Sequence, residues 1–222
     1  MQELMPNLMR RLPEFWKACG DTLLMEAWSG AIIFVLGLIF GIILTVTKPG
    51  GIMQNRPLYQ ALDKVINLFR SIPFIILLTA LMPLSRAIMG TAIYVRGVIV
   101  PLVFGATPFF ARQVESALAQ TEKGLVEAAL SMGSSPFEVI FRVYLRESLA
   151  PIIRAITITI ISLLGLTAMA GAVGAGGLGD FAIRYGHDRN MQDITWVVVG
   201  VLVAGVSAVQ WLGEYFARKN TH

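Results

Sequence analysis

The sequence predicts an all-α polytopic membrane protein with five transmembrane helices, on three observations. Hydrophobic residues make up 55% of the 222 and charged residues only 14%, whereas soluble domains average roughly 45–50% and 25%. Mean hydropathy is +0.68. The charges also stand apart from five uncharged runs, at 27–47, 71–85, 97–111, 155–179 and 194–213. A spanning helix needs about 20 apolar residues, so five or six spans would use nearly all the apolar content. The same composition excludes a disordered or collagen-like chain.

Residues 1–26 precede the first run and mix Glu3, Arg10, Arg11, Glu14, Lys17, Asp21 and Glu26 with Leu, Met, Phe15 and Trp16. No long apolar stretch and cleavage site follow the basic pair, so the segment does not read as a signal peptide. It reads as an interfacial amphipathic helix. A transmembrane domain follows over 27–217, and 218–222 form a tail. In the first span, Gly37 and Gly41 have the small-xxx-small spacing of close helix packing, which also arises incidentally. The second and third runs extend only about 22 Å at 1.5 Å per residue, short of a hydrocarbon core of about 30 Å. Arg70, Arg86, Arg96 and Arg112 are therefore expected to snorkel toward the interfaces. Pro73, Pro83, Pro101 and Pro108 are tolerable where neighbouring helices satisfy the freed carbonyls. The fourth and fifth runs are long enough alone.

Lys and Arg number eleven on the side holding 48–70, 112–154 and the tail, and seven on the other. The positive-inside rule then places the C-terminus in the cytoplasm and the N-terminus outside. Topology also accounts for the net charge of +4, and no nucleic-acid partner is implied.

The chain offers no catalytic or metal constellation. Cys19 is the single cysteine, and the histidines are His187, in an expected solvated loop, and His222. No P-loop pattern occurs, so ATP is not bound that way. Gly174 to Gly179 satisfies G-x-G-x-x-G, but that fingerprint needs a preceding strand and a following helix. Here it ends an apolar run, where close helix approach or a flexible gate fits better. No cofactor is expected. An ion-coupled secondary transporter would place ionisable groups mid-span, and the uncharged runs lack them.

The chemistry is expected in the polar loop at about 113–150. Thr121 is a candidate N-cap for a short helix that Gly133 ends in the left-handed conformation. Ser135 then caps a second helix, with Pro136 at its first position and Glu138 completing a capping box. The product is helix, tight turn, helix.

Glu127-Ala128-Ala129, three residues, Gly133, nine residues, Val143 and then Leu145 resemble the EAA loop of ABC importer permeases. The chain departs at Arg146, where that family usually has Pro. Phe69 to Leu78, Gly105 to Phe109 (read as a turn) and Gly171 to Gly179 together resemble the methionine-uptake permeases over about residues 28–215. The resemblance implies the five-helix fold of those permeases in a bacterial inner membrane, and a homodimer. It implies two copies of an ABC ATPase subunit, an external substrate-binding lipoprotein, and methionine moved by alternating access. Glu127, Ala128, Ala129, Leu130 and Gly133 would couple to the ATPase. Thr159 and Ser162, at i and i+3 on the fourth span, and Met169 on the same face are candidates for the translocation pathway, although Thr and Ser in helices often bond their own carbonyls. Permeases for another amino acid and ion-coupled transporters are the alternatives.

Overall fold

A computed structural model describes residues 5–220, which contain helices and turns and no strand. The elements are α1 (Pro6–Met9), α2 (Leu12–Thr47), α3 (Arg56–Ser71), α4 (Phe74–Ala80), α5 (Met82–Met89), α6 (Tyr94–Leu118), α7 (Lys123–Ser131), α8 (Pro136–Val139), a π turn (Ile140–Tyr144), α9 (Leu145–Glu147), α10 (Leu149–Gly171), α11 (Gly177–Phe181), a second π turn (Ala182–His187) and α12 (Gln192–Lys219). Of the tail, residues 221–222 lie outside the described residues, as do residues 1–4 of the N-terminal segment.

Four of the five expected spans are single helices, α2, α6, α10 and α12, each long and apolar enough to cross a membrane. The second is built from α4 and α5, of seven and eight residues. Proline explains the interruption. Pro83 occupies the first turn of α5, where its missing N–H would have had no partner anyway, and Pro73, at the N-cap of α4 with ψ 134, separates α4 from α3. By contrast, the turn expected at Gly105 to Phe109 does not exist, because α6 runs straight through it. Gly105 is there for space: a Cβ on it would sit 3.0 Å from the Phe74 ring of α4. Nor is there a break at residues 26 and 27, since α2 is continuous from Leu12.

Contacts divide the chain into two compact units. The first comprises Met1–Ile32, Ile72–Gly105 and Ile160–Val209. Its core gathers Leu8, Phe15 and Ala18 with Leu178, Phe181, Ile194 and Val198. The N-terminal segment thus packs one apolar stripe onto α11 and the start of α12, while Trp16, Leu23 and Leu24 stay exposed. Polar groups reinforce the docking. Asp193 accepts the Asn7 backbone N–H at 3.0 Å, the Asn7 side-chain amide at 3.0 Å and the Leu8 N–H at 3.3 Å, occupying donors a helix start leaves orphaned. Replacing Asp193 by Ala removes all three acceptors. Limited proteolysis should then cut within residues 5–11 severalfold faster, with the rest of the chain unchanged.

The glycine run at 174–179 packs closely at Gly177 and Gly179, as close helix approach requires. Gly174, Gly176 and Gly177 have φ of +83, +81 and +79, conformations glycine adopts without steric cost. The Thr22 hydroxyl accepts the Leu178 N–H at 2.8 Å, and a Cβ on Gly177 would lie 2.8 Å from that same oxygen. Only bare backbone fits there.

The second unit comprises Ile33–Ser71, Ala106–Thr159 and Gln210–His222. Here the Gly37 and Gly41 spacing is used: α2 meets α6 so closely that a Cβ on Gly41 would lie 2.6 Å from Val114 and 2.8 Å from the Ala111 carbonyl oxygen. Phe34 and Phe110 meet edge to face at 5.1 Å beside it. α3, in the charged stretch between the first two uncharged runs, buries Ile66 with Leu44 and Ala111. Arg112 does not snorkel free. It donates to Glu115 at 2.7 Å, to Asn67 at 3.1 Å and to Asp63, joining α6 to α3.

Candidate functional site

The polar loop lies wholly in the second unit and is a helix–turn–helix. α7 starts at Lys123 after Glu122, whose side chain makes no capping bond. Thr121 is therefore not the cap. Its hydroxyl instead meets that of Ser148 at 2.9 Å, tying the two ends of the motif together across its base. At the far end, Gly133 has φ +86. The Gly133 N–H donates to the Leu130 carbonyl at 3.0 Å and the Ser134 N–H to that of Ala129 at 3.1 Å, the paired bonds of a Schellman ending. Nothing lies within 4 Å of a Cβ built on Gly133, so glycine is required by conformation and not by space.

The capping box forms as the spacing predicts. Ser135 Oγ accepts the Glu138 N–H at 3.3 Å, and Glu138 accepts the Ser135 N–H and hydroxyl at 2.9 Å each. Those bonds, with Arg142 at 3.3 Å, hold the Glu138 carboxyl below its ordinary value of 4.5. A depressed carboxyl stabilises above its unfolded pKa, and that contribution disappears as pH falls through the lowered folded value. Amide exchange at Glu138, corrected for intrinsic rate, should therefore quicken below pH 4.5. Ser135→Ala should quicken it about fivefold at neutral pH, the equivalent of a lost cap of about 1 kcal/mol.

The motif is stiff because it has a small core of its own. Val126, Ala129 and Val139 are buried, with Ile52, Val143 and Tyr144 packed against them. Ala129 is small for this internal reason: it lets α7 approach the second helix, and it is covered within the chain. Among the expected coupling residues, Glu127, Ala128 and Leu130 are exposed, as is Gly133. A cavity of about 380 Å³ lies between the turn after α2 and α7, with Lys48, Lys123, Glu127 and Tyr144 in its wall. Burial pushes the Tyr144 phenol above its ordinary 10, so it stays protonated at neutral pH.

Two exposed side chains were not singled out from sequence. Phe137 is 65% and Phe141 66% exposed, one helical turn apart, with Met132 80% exposed nearby in the chain. Large apolar groups left open on a rigid motif mark a contact surface. Their spacing was readable, but periodicity cannot separate a face turned to a partner from one turned to the core.

After the motif the backbone bends at Ser148, with φ −92 and ψ 14, and α10 begins at Leu149. Pro151 falls in its first turn, where no N–H is needed, so Arg146 does not disturb the start of the helix. Along α10 the pathway candidates differ. Thr159 is fully buried and donates its hydroxyl to the Ala155 carbonyl at 2.7 Å. Ser162 is half-buried and Met169 is 43% exposed.

Residues 33–222 match the family described as binding-protein-dependent transport system inner membrane component. The chain belongs to that family. It is a multi-pass transport component of the inner membrane. A probable D-methionine transport system permease protein MetI of Vibrio cholerae is 46% identical over 92% of this chain and 91% of its own. The methionine import system permease protein MetP of Bacillus subtilis is 39% identical over 96% and 95%. A solved structure of inward facing conformations of the MetNI methionine ABC transporter superposes with a TM-score of 0.93, at 42% identity, over 96% of this chain and 99% of the other.

Proposed function

We propose that the chain is the permease subunit of an ATP-driven importer that moves methionine across the inner membrane by alternating access. The observation that carries the reading is the stiff helix–turn–helix with Glu127, Leu130, Met132, Phe137 and Phe141 exposed on it. A motor must push on something that does not bend, and this motif has its own core, a glycine ending and a capping box. Likeness in sequence and fold to methionine permeases supports the substrate.

Two copies of this chain form the pathway, and each presents its motif to one ATPase subunit, which hydrolyses the ATP. An external binding protein delivers the amino acid. Ser162 and Met169 line the pathway, while Thr159 shapes α10 by bonding its own backbone. The C-terminus is cytoplasmic: the last turns of α12 expose Trp211 and Tyr215, stacked at 6.1 Å, just ahead of Arg218 and Lys219, an aromatic belt followed by basic residues. The motif then lies on the same side, where ATP is.

Reconstitution tests the reading. Proteoliposomes holding this chain, the ATPase and the binding protein should accumulate labelled methionine only with internal ATP. Uptake that persists without the ATPase, or a preference for a different amino acid, would overturn it.

A further inference from the structure

We propose that a cavity in the first unit, between α2, the α10–α11 turn and the start of α6, binds the zwitterionic head of a free α-amino acid. The chemical class rests on the functional reading above; the location rests on the unpaired charges of the cavity wall. Its volume is about 190 Å³, below the roughly 300–1,000 Å³ of drug-sized sites. A small molecule fits; a peptide does not.

Five charged side chains line it, and three of them are already engaged. Arg184 pairs with Asp180, and Arg11, from outside the wall, pairs with Glu14 at 3.6 Å. Lys17 and Asp21 remain. Both stand on α2 four residues apart, hence on one face, and among the described residues neither side chain forms an ion pair or hydrogen bond. A spare ammonium and a spare carboxylate one turn apart are the counterparts of an α-carboxylate and an α-ammonium carried by a single ligand.

The rest of the wall supports that assignment. Gly174, Gly176 and Gly177 bring bare backbone to the cavity with positive φ, and a Cβ on Gly176 would sit 3.3 Å from Asp21 Oδ2. A side chain there would crowd the carboxylate. Phe181 adds apolar surface for the ligand's side chain, beside Tyr185 at 5.0 Å, whose ring Arg11 covers at 4.2 Å. Tyr94, also in the wall, is held at φ +63, an uncommon conformation for a non-glycine residue, by its N–H bond to the Gly174 carbonyl at 3.1 Å. Strain of this kind concentrates at ligand sites.

The test uses the permease–ATPase complex in nanodiscs without binding protein, dialysed against labelled L-methionine. The wild type should bind saturably, and Lys17→Gln and Asp21→Asn should each weaken binding at least tenfold, with Lys17→Arg restoring most of it. Methionine methyl ester, which lacks the carboxylate, should bind the wild type more weakly than methionine and lose little further in Lys17→Gln. Unchanged affinity in both neutral variants would overturn the proposal. So would a wild type that binds nothing while the complete system imports methionine. If the complete wild-type system imports no methionine, the functional reading itself fails and takes the ligand class with it.

Discussion

Phe137→Ser with Phe141→Ser should abolish ATP-driven uptake while leaving a folded, membrane-inserted permease. Both rings are about two-thirds exposed, so removing them takes nothing from the chain's own core, which is built by Val126, Ala129 and Val139. The loss should then fall on the proposed ATPase contact alone. Central aromatic residues of an interface typically contribute about 2 kcal/mol or more each, so the double variant should lose at least about thirtyfold in affinity for the ATPase even if the second ring adds little. Co-purification with the ATPase and uptake should fall together, and the thermal midpoint of the isolated permease should stay within a degree or two. Uptake at the wild-type level would remove these rings from the coupling surface. Glu127→Lys makes a milder companion, because an exposed charge steers association more than it holds it.

Gly41→Leu should do the opposite, destroying the fold and sparing no function to measure. Its Cβ would lie 2.8 Å from a backbone oxygen, that of Ala111, as well as 2.6 Å from Val114. A side chain can rotate away; a carbonyl inside a helix cannot. Overpacking usually costs about 1–3 kcal/mol, and the rest of a leucine must be accommodated beyond that first atom. The expected result is loss of most folded protein from the membrane fraction. Gly37→Ala should be milder, since the atoms it meets belong to the Phe110 side chain, and a drop of several degrees in thermal midpoint separates the two cases. Equal stability of Gly41→Leu and wild type would show that α2 and α6 do not cross where the glycines allow.

The long spans and the turn chemistry of the helix–turn–helix motif were legible in the sequence because both are local. Uncharged runs report burial in lipid directly, and Gly133, Ser135, Pro136 and Glu138 act within a few residues of one another. What escaped depends on distant partners. Arg112 reads as a snorkelling cation until Asp63 and Asn67 are brought to it from α3. That Phe181 and Ile194 would cover one apolar stripe of the N-terminal segment could not be read from that segment alone. Thr121 has the right chemistry for a cap, and a hydroxyl 27 residues away took it. The break between α4 and α5 is different: Pro83 announced it, but the absence of charge spoke more loudly.

The unbroken course of α2 sets a length that lipid cannot absorb. Its 36 residues form a rod of about 54 Å at 1.5 Å per residue, and even tilted by about 40° it covers some 41 Å, against a hydrocarbon layer of about 30 Å. One end must stand clear of the acyl chains. The uncharged stretch of α2 lies toward Thr47, so the protruding end is the one bearing Glu14, Lys17 and Asp21, and their charges meet water and headgroups without cost. A helix that overshoots in this way carries its own mooring post, already fastened to the protein before any lipid is encountered.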